Sequence, residues 1–263
     1  MTTFQALILG VFQGIAEFLP ISSSGHLILL QAMFGIEEPA LTFDIVVHIG
    51  SLIAIAVVFW QKIWTLISKP FCKMAALLIV GTLPAVVVGS LLRDVIESYF
   101  RTGIWLAAAF TVTGVMLLFA DKFSNGEKAE KDITFLDAAI IGLCQAFALL
   151  PGISRSGSTI AGALSRGINR TAAAEFSFML AIIAIAGAGV LELMQILTGD
   201  IPPSNIGFTQ MAVGFVASLV ASYFSIRLLL KLIKACKLRY FSVYLWVLAV
   251  LILVDVWIIG VVF

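Results

Sequence analysis

Long apolar stretches separated by short polar segments run through most of the chain. A helix of about 20 apolar residues crosses the roughly 30 Å hydrocarbon core of a membrane. Six stretches are long and apolar enough to do so, and each predicts a transmembrane helix. The predicted spans are residues 42–60, 74–92, 103–120, 171–197, 209–230 and 241–262.

Two further apolar regions, residues 4–34 and 134–167, are interrupted midway by polar, glycine-rich sequence. Each predicts a re-entrant pair of half-length helices that enters and leaves the membrane on the same side. Non-helical backbone at membrane depth is tolerated only where protein or water covers it. We therefore predict an all-α integral membrane protein with about six transmembrane helices and two re-entrant helix pairs.

The two interrupted regions resemble each other, since residues 6–27 align with residues 138–159 at an offset of 132. Matches of Gly, Gln and Ser in register are uncommon by chance in apolar sequence, and they indicate an internal repeat. The matched pairs include Gly10 with Gly142, Gln13 with Gln145, Ser22 with Ser154, Ser24 with Ser156 and Gly25 with Gly157.

The repeat predicts one membrane domain built from two halves, residues 1–120 and 134–263, joined by a linker over residues 121–133. Each half contains one re-entrant pair and three predicted crossings, and an odd number of crossings inverts the second half relative to the first. Such inverted-topology repeats are found in transporters, in which broken helices meet near the membrane midplane. We therefore expect the two polar loops to converge inside the protein.

Basic residues in the loops orient the predicted spans, because positively charged loops remain in the cytoplasm. This orientation places Arg93 and Arg101 outside, where Asp94 and Glu97 partly offset them. The first re-entrant pair then opens to the outer face and the second to the inner face. The cytoplasmic basic residues are Lys62, Lys69, Lys73, Lys122, Lys128, Lys131, Lys231, Lys234, Lys237 and Arg239.

Composition narrows the classes of function. The chain is 61% hydrophobic and only 12% charged, which is too little polar surface for a water-soluble domain. A net charge of +1 and the lack of a basic stripe exclude a nucleic-acid partner and leave membrane lipids as the surroundings. The sequence contains no signal for oligomeric state, so a homodimer stays open.

The first loop joins a carboxylate to a run of hydroxyls. Gln13 and Glu17 are four residues apart and share a helix face. Ser22, Ser23 and His26 follow in the segment PISSSGH. Hydroxyls beside a histidine and a carboxylate are typical of acid–base chemistry. His26 as a buried, hydrogen-bonded histidine, and the serines as helix caps, are the structural alternatives.

The second loop, PGISRSGST, combines hydroxyls and glycines with one arginine. Exposed N–H groups at a helix N-terminus form an anion site, and the planar guanidinium of Arg155 grips phosphate oxygens. A charge at membrane depth costs roughly 2.5–3.5 kcal/mol, so Arg155 requires an anionic partner or a water-filled pocket. Glu17 is the available protein partner and a phosphate the available ligand. Ser154, Ser156 and Thr159 are the accompanying candidate phosphate ligands.

Other polar residues allow more than one interpretation. Asp44 and His48 share a helix face at the start of the first span, and Glu175 lies near the equivalent place in the second half. These three side chains line the same cavity or have orienting and structural roles. Glu192 and Asp255 lie near predicted outer ends, where we expect them to be solvated.

Two motifs, GVFQGIAEFLPISSSGH from Gly10 and PGISRSGST from Pro151, resemble the signature regions of undecaprenyl-diphosphate phosphatases of the bacitracin-resistance type. The similarity extends over essentially the whole chain, including TFD at Thr42 and EFSF at Glu175. It implies a hydrolase that converts undecaprenyl diphosphate to the monophosphate carrier used in peptidoglycan synthesis. It also implies a bacterial plasma-membrane location and a site that opens to the outer face.

The resemblance assigns roles by position. It implies that Ser23 is the nucleophile, that His26 and Glu17 are catalytic, and that Gln13 completes a pair with Glu17. It also implies that the segment Ser154–Thr159, which contains Arg155, binds the phosphates. Gln13 and Ser22 are the further substrate-binding candidates of the first loop. Family activity is linked to a divalent cation, Mg²⁺ or Ca²⁺. Many members have Glu where this chain has Gln13, so the cation is expected on Glu17 and the substrate phosphates.

Two further functions compete with the phosphatase. A lipid-carrier flippase or transporter would use the same inverted repeat without hydrolysis. A structural membrane subunit would explain neither the polar loops nor Arg155. Within the phosphatase, the sequence leaves open a phosphoserine intermediate and direct attack by water.

Overall fold

The computed structural model describes residues 1–36, 41–99, 102–123, 125–199, 206–235 and 238–263, and for residues 93–99 and 234–235 it describes the backbone alone. The basic and acidic residues expected near the outer face, and two lysines of the last basic loop, lie outside the described residues or side chains. They are Arg93, Asp94, Glu97, Arg101, Lys234 and Lys237.

Eleven α-helices make up the described fold. They are α1 (Thr3–Phe18), α2 (Ser23–Met33), α3 (Leu41–Val58), α4 (Trp60–Ser68), α5 (Lys73–Tyr99), α6 (Gly103–Lys122), α7 (Phe135–Phe147), α8 (Arg155–Ser165), α9 (Arg170–Thr198), α10 (Phe208–Ala235) and α11 (Arg239–Val254). Six stretches of these residues are long and apolar enough to cross a membrane, and they coincide with the six predicted spans. Five lie in α3, α5, α6, α9 and α10, and the sixth consists of α11 and the helical turn that continues it to Ile259. This confirms the predicted all-α membrane fold.

The interrupted regions form helices too short to cross alone. At a rise of about 1.5 Å per residue, α1, α2, α7 and α8 are about 16–24 Å long. Each pair packs together, α1 on α2 and α7 on α8. The turns between them lie over residues 19–22 and 148–154, where the polar residues interrupt the apolar pattern.

One short helix, α4, was not predicted. It has only nine residues, below the length of a crossing, and its polar residues were assigned to a loop. Trp60 and Trp64 lie one turn apart on its exposed face and stack with ring centroids 5.7 Å apart. Exposed tryptophans on a short amphipathic helix are typical of a helix that lies in the membrane interface.

The two halves exchange their first helices. α1 packs against α10 of the second half, and α7 packs against α5 of the first. Small residues permit both contacts, as in other membrane helix pairs. A Cβ atom added to Gly10 would lie 2.4 Å from the Gly214 carbonyl oxygen, and one added to Gly142 would lie 2.5 Å from that of Gly81. Equivalent positions of the repeat therefore make equivalent contacts.

Replacing Gly142 with Ala is expected to destabilise the protein by about 1–3 kcal/mol, the usual cost of overpacking. The added methyl meets the backbone of α5, which cannot move aside as a flexible side chain would. Gly187→Ala is the matched control, because nothing lies within 4 Å of a Cβ there. Melting midpoints in detergent compare the two variants, and equal midpoints would contradict the close contact of α5 with α7.

The segment between the halves is held by ion pairs. Lys62 on α4 binds both Glu130 of the linker and Glu175 on α9, the latter at 2.9 Å. Burial of the Lys62 ammonium opposes its charge, but the two carboxylates outweigh burial and raise the pKa of Lys62. Asp137 at the start of α7 is buried and accepts from Lys128 at 3.2 Å and Arg166 at 2.9 Å. These pairs bring the linker, α4, α7 and α9 together.

Asp255, which was expected to be solvated, is half-buried and also binds the backbone beyond the last helix. Its carboxylate accepts hydrogen bonds from the N–H groups of Val261, Val262 and Phe263 at 3.0–3.3 Å. The backbone beyond the last helix turns back at Gly260, which has φ 64°. The carboxylate therefore holds the last residues of the chain against the end of α11.

Candidate active site

The two polar loops meet inside the fold, as the repeat predicts. The Gly152 N–H donates to the Ser24 hydroxyl at 3.3 Å, and the Ser156 hydroxyl donates to the Leu19 carbonyl at 3.1 Å. A Cβ added to Gly25 would lie only 3.1 Å from the Gly152 Cα. The same Cβ would lie 2.5 Å from a ring carbon of Phe110, so the close packing at Gly25 requires glycine.

Equivalent serines cap the helix that follows each loop, but their backbones differ. The Ser22 hydroxyl accepts from Gly25 N–H at 3.3 Å, and the Ser154 hydroxyl accepts from Gly157 N–H at 3.0 Å. Ser154 has an ordinary φ of −72°, whereas Ser22 has φ 70° and is the one non-glycine residue with positive φ in the described ranges. Such strain costs about 1–3 kcal/mol and is concentrated at functional sites. It turns the chain sharply just before Ser23.

Glu17 connects the two loops. Its Oε2 accepts from the Ser23 hydroxyl at 2.6 Å and from Gln13 Nε2 at 3.0 Å. Its Oε1 accepts from Arg155 Nη2 at 2.8 Å. The Glu17 side chain is 5% exposed, so its charge depends on these donors. Both the ion pair considered from the sequence and the Ser23 contact are present, and together they place a hydroxyl, a base and a guanidinium side by side.

These groups face a cavity of about 340 Å³ bounded by α1, α3, α8, α9 and both loops. Apolar side chains of α3 and α9, among them Ile45, Ile49 and Ile185, form much of its wall. The polar side chains on the wall are Glu17, Ser22, Ser23, Ser24, Asp44, His48, Ser154, Arg155, Ser156 and Glu192. Of the predicted site residues, the cavity therefore exposes Glu17, Ser22, Ser23, Ser154, Arg155 and Ser156.

The structure shows which of Asp44, His48 and Glu175 line the cavity and which does not. His48 lies on the cavity wall with Nε2 3.6 Å from Glu17 Oε2, and its Nδ1 donates to the Asp44 carbonyl at 2.6 Å. The Asp44 carboxylate accepts from Gln31 at 2.8 Å. Glu175 instead belongs to the Lys62 ion pairs, away from this wall. Glu192, which was expected to be solvated, is half-buried and lines the cavity.

Three predicted site residues lie behind the wall. Gln13 is fully buried and orients Glu17 through its amide. Thr159 is 1% exposed, donates to the Arg155 carbonyl at 2.9 Å and lies 2.5 Å from the Ser177 hydroxyl. His26 is 2% exposed and does not line the cavity. Gln13 and Thr159 thus hold Glu17 and Arg155 in place from behind.

His26 is held on both sides of its ring. Nδ1 lies 2.7 Å from the Ser22 carbonyl oxygen, and Nε2 lies 2.7 Å from the hydroxyl of Tyr244 on α11. Sequence reasoning missed Tyr244, because nothing in the pattern of α11 relates it to a residue 218 positions earlier. Both ring nitrogens are engaged, and Glu17 is the base in direct contact with Ser23.

The sequence was compared with known protein families. A family model described as bacitracin resistance protein BacA matches residues 6–251. The chain belongs to the BacA family. This confirms the resemblance seen in the two motifs, and both loops lie inside the matched residues. With six membrane-spanning stretches among the described residues, this BacA-family chain is a multi-pass membrane protein.

Several relatives match the BacA-family chain along nearly its full length. A protein of Carboxydothermus hydrogenoformans named undecaprenyl-diphosphatase is 44% identical over 254 residues, 97% of each chain. A Bacillus cereus protein named undecaprenyl-diphosphatase 4 is 43% identical over 96% of this chain and 97% of its own. A Methanosphaera stadtmanae protein named undecaprenyl-diphosphatase is 41% identical over 94% of this chain and 95% of its own.

Proposed function

We propose that this protein hydrolyses undecaprenyl diphosphate to undecaprenyl phosphate and inorganic phosphate, which recycles the lipid carrier for cell-wall synthesis. The observation that carries the proposal is the contact of Ser23, Glu17 and Arg155 on one cavity wall. A hydroxyl, its base and a phosphate-binding guanidinium are more than a binding protein requires. The relatives named undecaprenyl-diphosphatase supply the substrate.

In the proposed reaction, Ser23 Oγ attacks the terminal phosphorus as its proton passes to Glu17. The new Oγ–P bond forms while the P–O bond of the anhydride breaks, and the bridging oxygen leaves on undecaprenyl phosphate. Glu17 then loses this first proton to solvent. In the second step a water oxygen attacks the phosphorus as its proton passes to Glu17, the Oγ–P bond breaks, and Glu17 returns that proton to Ser23 Oγ as inorganic phosphate leaves. The alternative is that Ser23 positions a water molecule for direct attack. Acid quenching of a reaction with terminally ³²P-labelled substrate distinguishes them, since only the first route labels the protein.

The second loop stabilises the negative charge on the transferred phosphoryl group. Arg155 is the first residue of α8, and Ser154 caps that helix, so the positive end of the helix dipole lies beside the guanidinium. Donors already fixed in position stabilise the transition state without reorganisation. The apolar wall from α3 and α9 suits the prenyl chain, which would enter from the bilayer between these helices.

A divalent cation fits this site as a companion of the substrate. No group of three or more His, Cys, Asp or Glu could hold a metal alone in the part of the chain described. Glu17 is already engaged by Arg155, Ser23 and Gln13. The donor set thus suits an ion such as Mg²⁺ or Ca²⁺ held by diphosphate oxygens with Glu17 as one carboxylate ligand. When bound, it would neutralise charge on the diphosphate.

Removing the cation with EDTA is expected to lower phosphate release at least about 10-fold, because the protein's own donors then neutralise the diphosphate without a divalent charge. Added Mg²⁺ or Ca²⁺ should restore the rate. Because the ion is held chiefly by the substrate, half-saturation should move to lower cation concentration as the substrate concentration rises. Full activity in EDTA would contradict the proposed cation.

Phosphate release from undecaprenyl diphosphate by purified protein in detergent tests the proposed function. The flippase alternative predicts movement of labelled lipid phosphate across liposomes without hydrolysis, because the inverted repeat is a transport architecture. No phosphate release would contradict the phosphatase, and undiminished release after Ser23→Ala would contradict the role of Ser23. Light scattering of the same preparation reports the oligomeric state, including the homodimer left open by the sequence.

The location and the repeat boundaries are also proposals. The basic loops support an orientation with the cavity open to the outer face. The relatives from Carboxydothermus hydrogenoformans and Bacillus cereus support a bacterial plasma membrane. In each half the first helix packs against a helix of the other half, α1 on α10 and α7 on α5. This symmetry supports a first half over about residues 1–120, a linker over 121–133 and a second half over 134–263. Labelling of single cysteines placed in the linker with an impermeant maleimide, in intact cells, tests the orientation; the linker should be protected.

A further inference from the structure

We propose that Tyr244 and His26 form a hydrogen-bonded support for the Ser22 turn, so that His26 positions the Ser23 nucleophile instead of exchanging a proton with it. The inference rests on the proposed phosphatase activity and assigns a role to Tyr244, a residue of the last transmembrane helix.

The hydrogen bonds determine the proton positions on His26. A carbonyl oxygen can only accept, so Nδ1, 2.7 Å from the Ser22 carbonyl, carries a proton. In the neutral ring Nε2 then has the lone pair, and it accepts from the Tyr244 hydroxyl at 2.7 Å. Neither nitrogen has a free lone pair for Ser23, whose own hydroxyl donates to Glu17.

Aromatic rings hold His26 away from the cavity. The Tyr244 ring stacks on it with centroids 5.7 Å apart and planes 6° from parallel, and Phe110 lies 5.4 Å away on α6. Phe12 on α1 is stacked at 6.3 Å. Rotation of the imidazole toward Ser23 would require these rings to separate and both hydrogen bonds to break.

The Tyr244 hydroxyl depends on its hydrogen bond to His26 Nε2. Tyr244 lies on a helix that can span the membrane and is 42% exposed. In surroundings without water, a hydroxyl must find its hydrogen bond within the protein. His26 Nε2 supplies it, which ties α11 to the first residues of α2.

The supported element is the strained turn. Ser22 has φ 70°, and its carbonyl accepts from both the His26 ring and the His26 N–H, at 2.7 and 3.2 Å. A ring anchored on Tyr244 therefore holds the carbonyl that precedes Ser23. Loss of the anchor lets the turn relax and moves the Ser23 hydroxyl from Glu17. A displacement of about 1 Å can lower a rate about 100-fold.

Two substitutions at His26 separate support from proton exchange. His26→Asn retains an N–H group near the position of Nδ1 but cannot act as a base, whereas His26→Leu retains neither. For a supporting role, we expect His26→Asn to keep kcat within about 10-fold of the wild type and His26→Leu to lose about 100-fold, with KM little changed. Equal loss in both variants would overturn the proposal.

Tyr244→Phe removes only the hydroxyl, and Tyr240→Phe is its matched control one turn earlier on α11. Tyr240 is 60% exposed, and its ring contacts Arg239. We expect Tyr244→Phe to lower kcat about 3- to 10-fold, the range for one hydrogen bond, and Tyr240→Phe to leave it unchanged. In the His26→Leu background Tyr244→Phe should have no further effect, and an additive loss would overturn the coupling.

NMR of the histidine rings tests the proton positions on His26 without measuring catalysis. The chain has only two histidines, so ¹⁵N-histidine NMR in detergent gives two ring systems, and His48→Gln leaves that of His26 alone. We expect the proton on Nδ1, and an Nε2 signal that shifts in Tyr244→Phe. A proton on Nε2 would overturn the inference. A wild type that releases no phosphate would refute the proposed function, while the NMR result would still test the hydrogen bonds.

Discussion

Glu17→Gln is expected to lower kcat for phosphate release by roughly 10²–10⁴-fold, the usual contribution of a general base. The amide retains the size of the side chain but cannot take the Ser23 proton. It also replaces a carboxylate oxygen with an NH₂ group that cannot accept from Ser23 at 2.6 Å or Arg155 at 2.8 Å. The rate of phosphate release at saturating substrate measures the effect.

The control for this variant is Glu127→Gln, which makes the same change at an exposed position in the linker. It should retain wild-type activity. Because Ser23 and Glu17 act as one unit, Ser23→Ala should cost about as much as Glu17→Gln, and the double variant little more. Additive losses, or a Glu17→Gln variant within threefold of the wild type, would contradict the assignment of the base.

Arg155→Lys should lower kcat/KM about 10²–10³-fold, the loss seen when one preorganised donor to a developing negative charge is removed. Lysine retains the positive charge but lacks the planar fork that binds two oxygens at once. Inorganic phosphate should also inhibit the variant less than the wild type, since the same guanidinium is proposed to hold the product. Rates at several substrate and phosphate concentrations give both quantities.

This prediction also tests the purely structural interpretation of the Arg155–Glu17 pair. A structural pair predicts a lower melting midpoint in Arg155→Lys with unchanged inhibition by phosphate. A phosphate site predicts weaker inhibition whatever the midpoint does. Arg227→Lys is the matched control, because Arg227 packs over the Tyr223 ring at 4.5 Å, away from the cavity wall. It should alter neither measurement.

The membrane fold could be predicted from the sequence because its cause is local. Each span is a continuous apolar stretch whose length the bilayer sets, so composition within about 20 residues is sufficient. The re-entrant helices were found in the same way, from the polar residues that interrupt them. α4 was not predicted because its nine residues are too few to cross the membrane and its polar residues resemble those of a loop.

A four-residue spacing predicts a side-chain contact correctly in the first loop but not in the second. A separation of four residues places Gln13 on the same face as Glu17, and the structure has that hydrogen bond. The same spacing on α8 relates Arg155 to Thr159, but Thr159 donates to the Arg155 carbonyl and lies behind the wall. Residue type and spacing indicate which groups are close along a helix, whereas neighbouring helices decide which of them faces the cavity.

The sequence by itself determined that the protein is helical, lies in a membrane and has two polar loops with phosphatase-like chemistry. Only the tertiary structure decided the partners: Ser23 with Glu17, His48 beside Glu17, Glu175 with Lys62, and His26 with Tyr244. These contacts join segments on different helices. Their geometry depends on how the helices pack and cross, which hydrophobic periodicity does not encode. The role of each polar residue is therefore set by the helix that packs against it.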